Sequence, residues 1–209
     1  MSSKQKSLRA NIQRGVGMIE VLVTLFILSI GLLGAAYLQF VGSFTNSEAL
    51  IRSQSVLVAQ QFSERLRASA YFSPARTGSI VSNQYLISNN YDFTNFTNVN
   101  CNNKSLYDCH CLAFPSELKN CNEKNLNPVN CDADELARFD AYEMSCSALT
   151  AHPELKVSLT CTANATSCPV GAKHIIKLSW PVQEWYNIPR TKGLNCILNH
   201  DCVTLDVIL

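Results

Sequence analysis

The polarity pattern changes twice over the first seventy positions. Residues 1–15 are polar and basic, no charged residue occurs from Val21 to Ser47, and from Asn46 onward apolar positions recur at helical spacing. As a helix, the uncharged run extends about 40 Å at ~1.5 Å per residue. That exceeds the ~30 Å hydrocarbon layer of a bilayer, so the run predicts a transmembrane helix over about residues 21–41. In the next stretch, NSEALIRSQSVLVAQQFSERLRASA, the residues Ile51, Val58, Phe62 and Leu66 line one apolar face. Glu48, Arg52, Glu64, Arg65 and Arg67 fall mostly off that face, and Ser73-Pro74 supplies a stop. One helix is therefore expected over 16–70, its first half in an apolar environment and its second half packed through the Ile51 stripe.

Beyond it the pattern shortens and becomes more polar. Gly78–Ser88 predicts one strand, and Asn89–Asn130 predicts a long asparagine-rich loop. A loop of that length needs staples to stay ordered, and Cys101, Cys109, Cys111, Cys121 and Cys131 offer them. Asp132–Met144 starts with acids and carries Leu136, Phe139 and Met144 inside, which predicts a short helix. Leu155–Thr162, Lys173–Trp180 and Val203–Ile208 are alternating or β-branched and predict three strands. The fold class is thus α+β, with residues 71–209 forming a head.

Charge and cysteine content sharpen this division. Lys4, Lys6, Arg9 and Arg14 have no acid near them, and once these four are set aside the 16 acidic residues outnumber what remains of the 17 basic ones. A head that is acidic on balance argues against general nucleic-acid binding, which needs phosphate-neutralising surface, although a local patch stays open. Positive charge on only one flank of the apolar run orients it with its N-terminus cytoplasmic and the head outside. All 10 cysteines, Cys101, Cys109, Cys111, Cys121, Cys131, Cys146, Cys161, Cys168, Cys196 and Cys202, lie in the second half of the chain. An even, dense set on the exported side reads as a disulfide framework. Cys196 and Cys202 stand where they can close a C-terminal loop; spacing leaves the remaining pairing open.

Catalytic signatures are absent from the sequence: it contains no G-x-S-x-G, P-loop, dinucleotide fingerprint or H-E-x-x-H. Cys109-His110-Cys111 invites a metal reading, but zinc ligand pairs usually sit two to four residues apart with a second pair to match. No metal and no cofactor are expected. His152, His174 and His200 stand alone and are read as surface or strand residues, and the chain is not expected to be an enzyme.

Glu20 is the exception in the N-terminal pattern, an acid one place before the apolar run, where burial in lipid costs on the order of 2.5–3.5 kcal/mol. Its surroundings, Arg14-Gly15-Val16-Gly17-Met18-Ile19-Glu20-Val21-Leu22, resemble the prepilin-peptidase signal of type IV pilins and pseudopilins. The resemblance implies a cleaved leader over 1–15, a cut between Gly15 and Val16, and N-methylation of Val16. It also implies that Glu20 neutralises the Val16 amine of a neighbouring subunit. Val16 and Glu20 lie four apart, on one helix face, and Gly15 lets the peptidase approach the backbone closely. Val16 and Gly17 stand where family members often carry phenylalanine and threonine.

MIEVLV and the following SIGLLG are most similar to PilV-type minor pilins, and the Asp132 helix and HIIKLSW resemble segments of the same group. The resemblance implies the type IV pilin fold, a long helix packed on an antiparallel sheet. Its implied partners are prepilin peptidase, an inner-membrane assembly platform, and other major and minor pilins. The implied role is initiation of pilus assembly near the tip, in support of twitching, adhesion or DNA uptake. Two alternatives stay open within this reading, a minor pseudopilin of a type II secretion system and a tip adhesin or DNA-binding pilin. A rival outside it is an ordinary secretory signal cut after Gly34-Ala35-Ala36, which would leave a chain starting at Tyr37.

Overall fold

In a computed structural model, residues 17–75, 77–93, 101, 104–122, 131–163, 166–182, 196–197 and 199–209 are described. The first element, α1, is an uninterrupted helix from Met18 to Ala68. Arg65 and Arg67 occupy its last turn, where positive charge complements the helix dipole. The division into compact units falls between Ser47 and Glu48, inside this helix.

Residues 48–209 form one of those units, with a core of their own. The stripe read from the sequence faces it: Val58, Phe62 and Leu66 are buried, Ile51 is partly so, and Ala59 joins them. Two serines share the buried face without penalty because each hydroxyl donates back to the helix, Ser55 Oγ to Ile51 O (2.8 Å) and Ser63 Oγ to Gln60 O (2.7 Å). Phe62 meets Tyr85 and Tyr91, each with ring centroids 6.0 Å away. Burying a side chain of this size contributes about 1.5–3 kcal/mol.

After α1 comes a small antiparallel pair, β1 (Tyr71–Phe72) with β2 (Ser79–Ile80). Of the single strand expected over Gly78–Ser88, only Ser79–Ile80 forms, as β2. Ser82 ends the extended run by accepting from Gln84 N (3.1 Å), and 3₁₀ turns follow at Asn83–Leu86 and Ser88–Tyr91. Asparagine and serine side chains compete locally for backbone groups, and here that competition wins over strand propensity. The expected loop over Asn89–Asn130 also holds a short helix, α2 (Leu106–His110), capped by Ser105 accepting from Asp108 N (3.0 Å).

The helix expected over Asp132–Met144 is longer than its acidic start indicated. α3 spans Ala133–Ala151. Asp132 caps it, accepting from Asp134 N (2.9 Å) and Glu135 N (2.7 Å), while Glu135 Oε2 accepts from Asp132 N (3.1 Å). This reciprocal box fixes the start. The end is fixed by Pro153, which forces His152 into extended backbone (φ −158°, ψ 136°). No glycine or proline interrupts the turns between Met144 and that point.

The main sheet is antiparallel in the order β3–β4–β5, with β3 at Lys156–Cys161, β4 at Lys173–Pro181 and β5 at His200–Ile208. Its inner face alternates as strand periodicity requires. Val157 opposes Leu178, Leu159 opposes Ile176, and all four are buried. β5 begins three residues before the predicted Val203. Its first residues, His200-Asp201-Cys202, are polar enough to hide a strand in the sequence, yet Asp201 is buried, pairs in register with Trp180 and accepts from Cys202 N (3.0 Å).

Every cysteine is in a disulfide. Four pairs are local, Cys101–Cys109, Cys121–Cys131, Cys161–Cys168 and Cys196–Cys202. The fifth, Cys111–Cys146, spans 35 residues and ties the loop to α3. In the chain-entropy account a closure of that length contributes about 4 kcal/mol, against about 2.4 kcal/mol for a seven-residue one. The architecture is a long apolar N-terminal helix with antiparallel sheets and a cross-linked loop region, mixed α+β and consistent with the type IV pilin fold.

Candidate assembly interface

The apolar run occupies the first part of α1. Every residue from Gly17 to Gly42 is exposed, and among them Met18 is 86% and Leu33 77% accessible. The helix contains a segment with a mean hydropathy of 2.4, long and apolar enough to cross a membrane. Three of its hydroxyls are satisfied within the helix. Thr24 Oγ1 donates to Val21 O (2.9 Å), Ser29 Oγ to Leu25 O (2.7 Å) and Thr45 Oγ1 to Val41 O (2.9 Å). Hydroxyls satisfied by their own helix ask nothing of a surrounding lipid or apolar partner.

Glu20 is the one acid of the first turn. Its backbone N donates to Gly17 O (2.9 Å), which places Glu20 in the first turn, at the positive end of the helix dipole. This is where a negative side chain is most favourable, and it is exposed there for a partner. Gly15 and Val16, the residues of the expected cut, lie outside the described residues, so the Val16–Glu20 spacing is known from sequence only.

At the other end of α1 a charged cluster fastens the helix to the head. Arg65 Nη1 contacts Asp140 Oδ1 at 2.8 Å and Nη2 contacts Glu143 Oε2 at 2.6 Å, reaching two turns of α3. Tyr85 Oη donates to Asp140 Oδ2 (2.5 Å) and lies 3.0 Å from Ser69 Oγ. Burial disfavours the Arg65 charge, yet the hydrogen bonds to Asp140 and Glu143 outweigh it and raise its pKa. Burial, with Asp140 alongside, pushes the Tyr85 hydroxyl far above its ordinary value, so it stays protonated as a donor. Arg52 Nη1 stands 3.7 Å from the buried Asp201 Oδ2 at the start of β5. In the sequence Arg52 and Arg65 fall off the apolar face, and nothing local points to these partners, which lie 75 or more residues away.

The lone histidines divide. His174 is a buried strand residue opposite Cys161 and Val207, and burial lowers its pKa. His152 ends α3 and His200 opens β5. His110, noticed in the sequence only as part of a cysteine motif, is buried beside Cys101, and burial lowers its pKa too.

Residues 10–36 match the family model of the Prokaryotic N-terminal methylation motif, which covers Gly15, Val16, Glu20 and the first part of the apolar helix and leaves the head unmatched. No curated protein and no solved structure matches the chain. The motif, with the exposed apolar helix behind it, supports a type IV pilin-like protein, a pilin or pseudopilin processed by prepilin peptidase and anchored in a membrane.

Proposed function

We propose that the protein is a minor type IV pilin of the PilV type, acting by assembly and not by turnover. The observation that carries this reading is Glu20 at the exposed first turn of an uncovered apolar helix, inside a methylation motif. The prepilin inserts by α1 with its N-terminus cytoplasmic. Prepilin peptidase cuts between Gly15 and Val16, and the new amine is methylated, which keeps its charge. That amine is cationic near neutral pH. Glu20 then neutralises the Val16 amine of a neighbouring subunit, and the apolar surfaces of the two helices bury each other. In a low-dielectric bundle an unpaired carboxylate is strongly disfavoured, so the pairing selects axial register as well as affinity. The head is displayed outside, near the tip, where with other minor pilins it initiates the filament.

The test is incorporation of Glu20→Ala. We expect normal cleavage and membrane insertion, with the amount of this subunit in sheared filaments reduced about tenfold or more, since an uncompensated charge costs at least ~1.4 kcal/mol in such a setting. Wild-type incorporation of Glu20→Ala removes Glu20 from the mechanism. Deletion of the protein is expected to abolish surface pili and twitching while protein secretion continues. The opposite result assigns it to a type II secretion system.

A further inference from the structure

The sequence motif Cys109-His110-Cys111 comes apart in the fold. Cys111 bonds Cys146 on α3, whereas Cys109 bonds Cys101, and His110 goes with the second pair. His110 Nε2 lies 3.4 Å from Cys101 Sγ, and the potential ligand atoms of Cys101, Cys109 and His110 are all within 4.8 Å of one another. The imidazole is held firmly. It is 7% exposed and stacks on Phe93 with centroids 5.0 Å apart, and its own backbone carbonyl accepts from Tyr142 Oη (2.5 Å). Its Nδ1 is buried with no hydrogen-bond partner among the described residues. A buried imidazole that offers its other nitrogen to a disulfide is a poor packing solution, because both ring nitrogens are polar and one goes unsatisfied.

We propose that Cys101, Cys109 and His110 form a latent site for one zinc-class divalent ion, closed in the oxidised protein and opened by reduction. A dithiol reductant delivers two electrons and two protons to the Cys101–Cys109 bond and is itself oxidised to a disulfide. The two thiols formed lose their protons to solvent when the ion binds, and His110 Nε2 supplies the third ligand. Tetrahedral zinc with bonds of about 2.3 Å to sulfur and about 2.0 Å to nitrogen sets an N···S edge near 3.5 Å. The 3.4 Å already present between Nε2 and Cys101 Sγ meets that edge without movement of the ring. Cys109 Sγ needs only to swing away from Cys101 Sγ by side-chain rotation, with the two Cα atoms 5.2 Å from each other. The fourth position is left to water, as three-ligand zinc sites allow. Cys101 is only half-buried, which gives the ion and the reductant a way in. Disulfide formation and metal binding are then alternative fates of one cysteine pair.

The test uses the full chain in detergent micelles, partially reduced with dithiothreitol, exposed to zinc chloride and then alkylated with iodoacetamide. Peptide mass analysis reads each cysteine separately. Zinc is expected to slow alkylation of Cys101 and Cys109 about tenfold or more and to leave the other cysteines unchanged. His110→Ala and the bulkier His110→Gln are each expected to weaken the zinc dependence about tenfold or more, at least the effect of losing an outer-shell partner. An intact Cys111–Cys146 bond and unchanged helical circular dichroism certify the fold of each variant. Protection that is absent, falls on other cysteines, or survives in both folded His110 variants overturns the proposal.

Discussion

Three residues carry more than their local packing. The helix dipole favours Glu20 at the first turn of α1, but an apolar bundle favours it only when its charge is paired, so Glu20→Ala should alter assembly far more than insertion. Asp140 is the opposite case. It accepts from both Arg65 and Tyr85 with its own side chain 7% exposed, while Arg65 keeps 28%. Asp140→Asn leaves the guanidinium with Glu143 alone, and we expect a loss of about 3 kcal/mol, the low end for a buried pair because Arg65 retains solvent contact. Urea unfolding of the head checks this, and a loss under 1 kcal/mol would mean that the cluster is not a structural clamp. Gly78 is constrained by space, since a Cβ there would strike Val170 Cγ1. Gly78→Ala should shift the β1–β2 turn and lower the melting temperature by several degrees, as a 1–2 kcal/mol loss does in a domain of this size.

At the scale of elements, the buried stripe of α1 and the Cys111–Cys146 bond hold the head together. Phe62→Ala removes the ring that meets both tyrosines and is expected to cost about 3–5 kcal/mol in thermal or chemical unfolding. Serine replacement of Cys111 and Cys146 should lower stability more than the same change at Cys161 and Cys168, because the longer closure restrains the unfolded chain more. Equal effects would contradict the ranking. The stripe was legible beforehand because 3.6-residue periodicity needs no long-range knowledge, and β3 and β4 were legible for the matching reason. What escaped depended on local capping or on distant partners. Ser82 diverts a strand-like run into 3₁₀ turns, and Asp201 enters β5 only because Arg52 and the Trp180 pairing await it. Cysteine spacing could not reveal that His110 would side with Cys101. At the N-terminus the candidate site was almost wholly legible, since a leader, a glycine, an acid and an apolar run are linear features.

For the molecule as a whole, one linked consequence is its response to pH. Burial lowers the pKa of both His110 and His174 in the folded head. The unfolded chain, with histidines near 6.5, therefore binds protons that the folded one does not. Stability from this source is present above the unfolded value near pH 6.5 and is lost as the pH falls from there through the lower pKa values of the folded head. The head should melt at a lower temperature at pH 5.5 than at pH 7.5, and His174→Gln should shrink the difference; a melting temperature equal at the two values would show that neither ring is held neutral by burial. Under the proposed function, assembly rests on the N-terminal part of α1, whose apolar residues are exposed among the described residues and whose first turn bears the acid. That arrangement makes sense for a subunit released from a leader and inserted among its own kind. The most direct measurement is the N-terminal sequence and intact mass of the mature protein purified from membranes. The account predicts a chain that begins at Val16 with one added methyl group, residues 1–15 gone and every disulfide intact. A chain that begins at Tyr37, or one that retains Gly15, would contradict it.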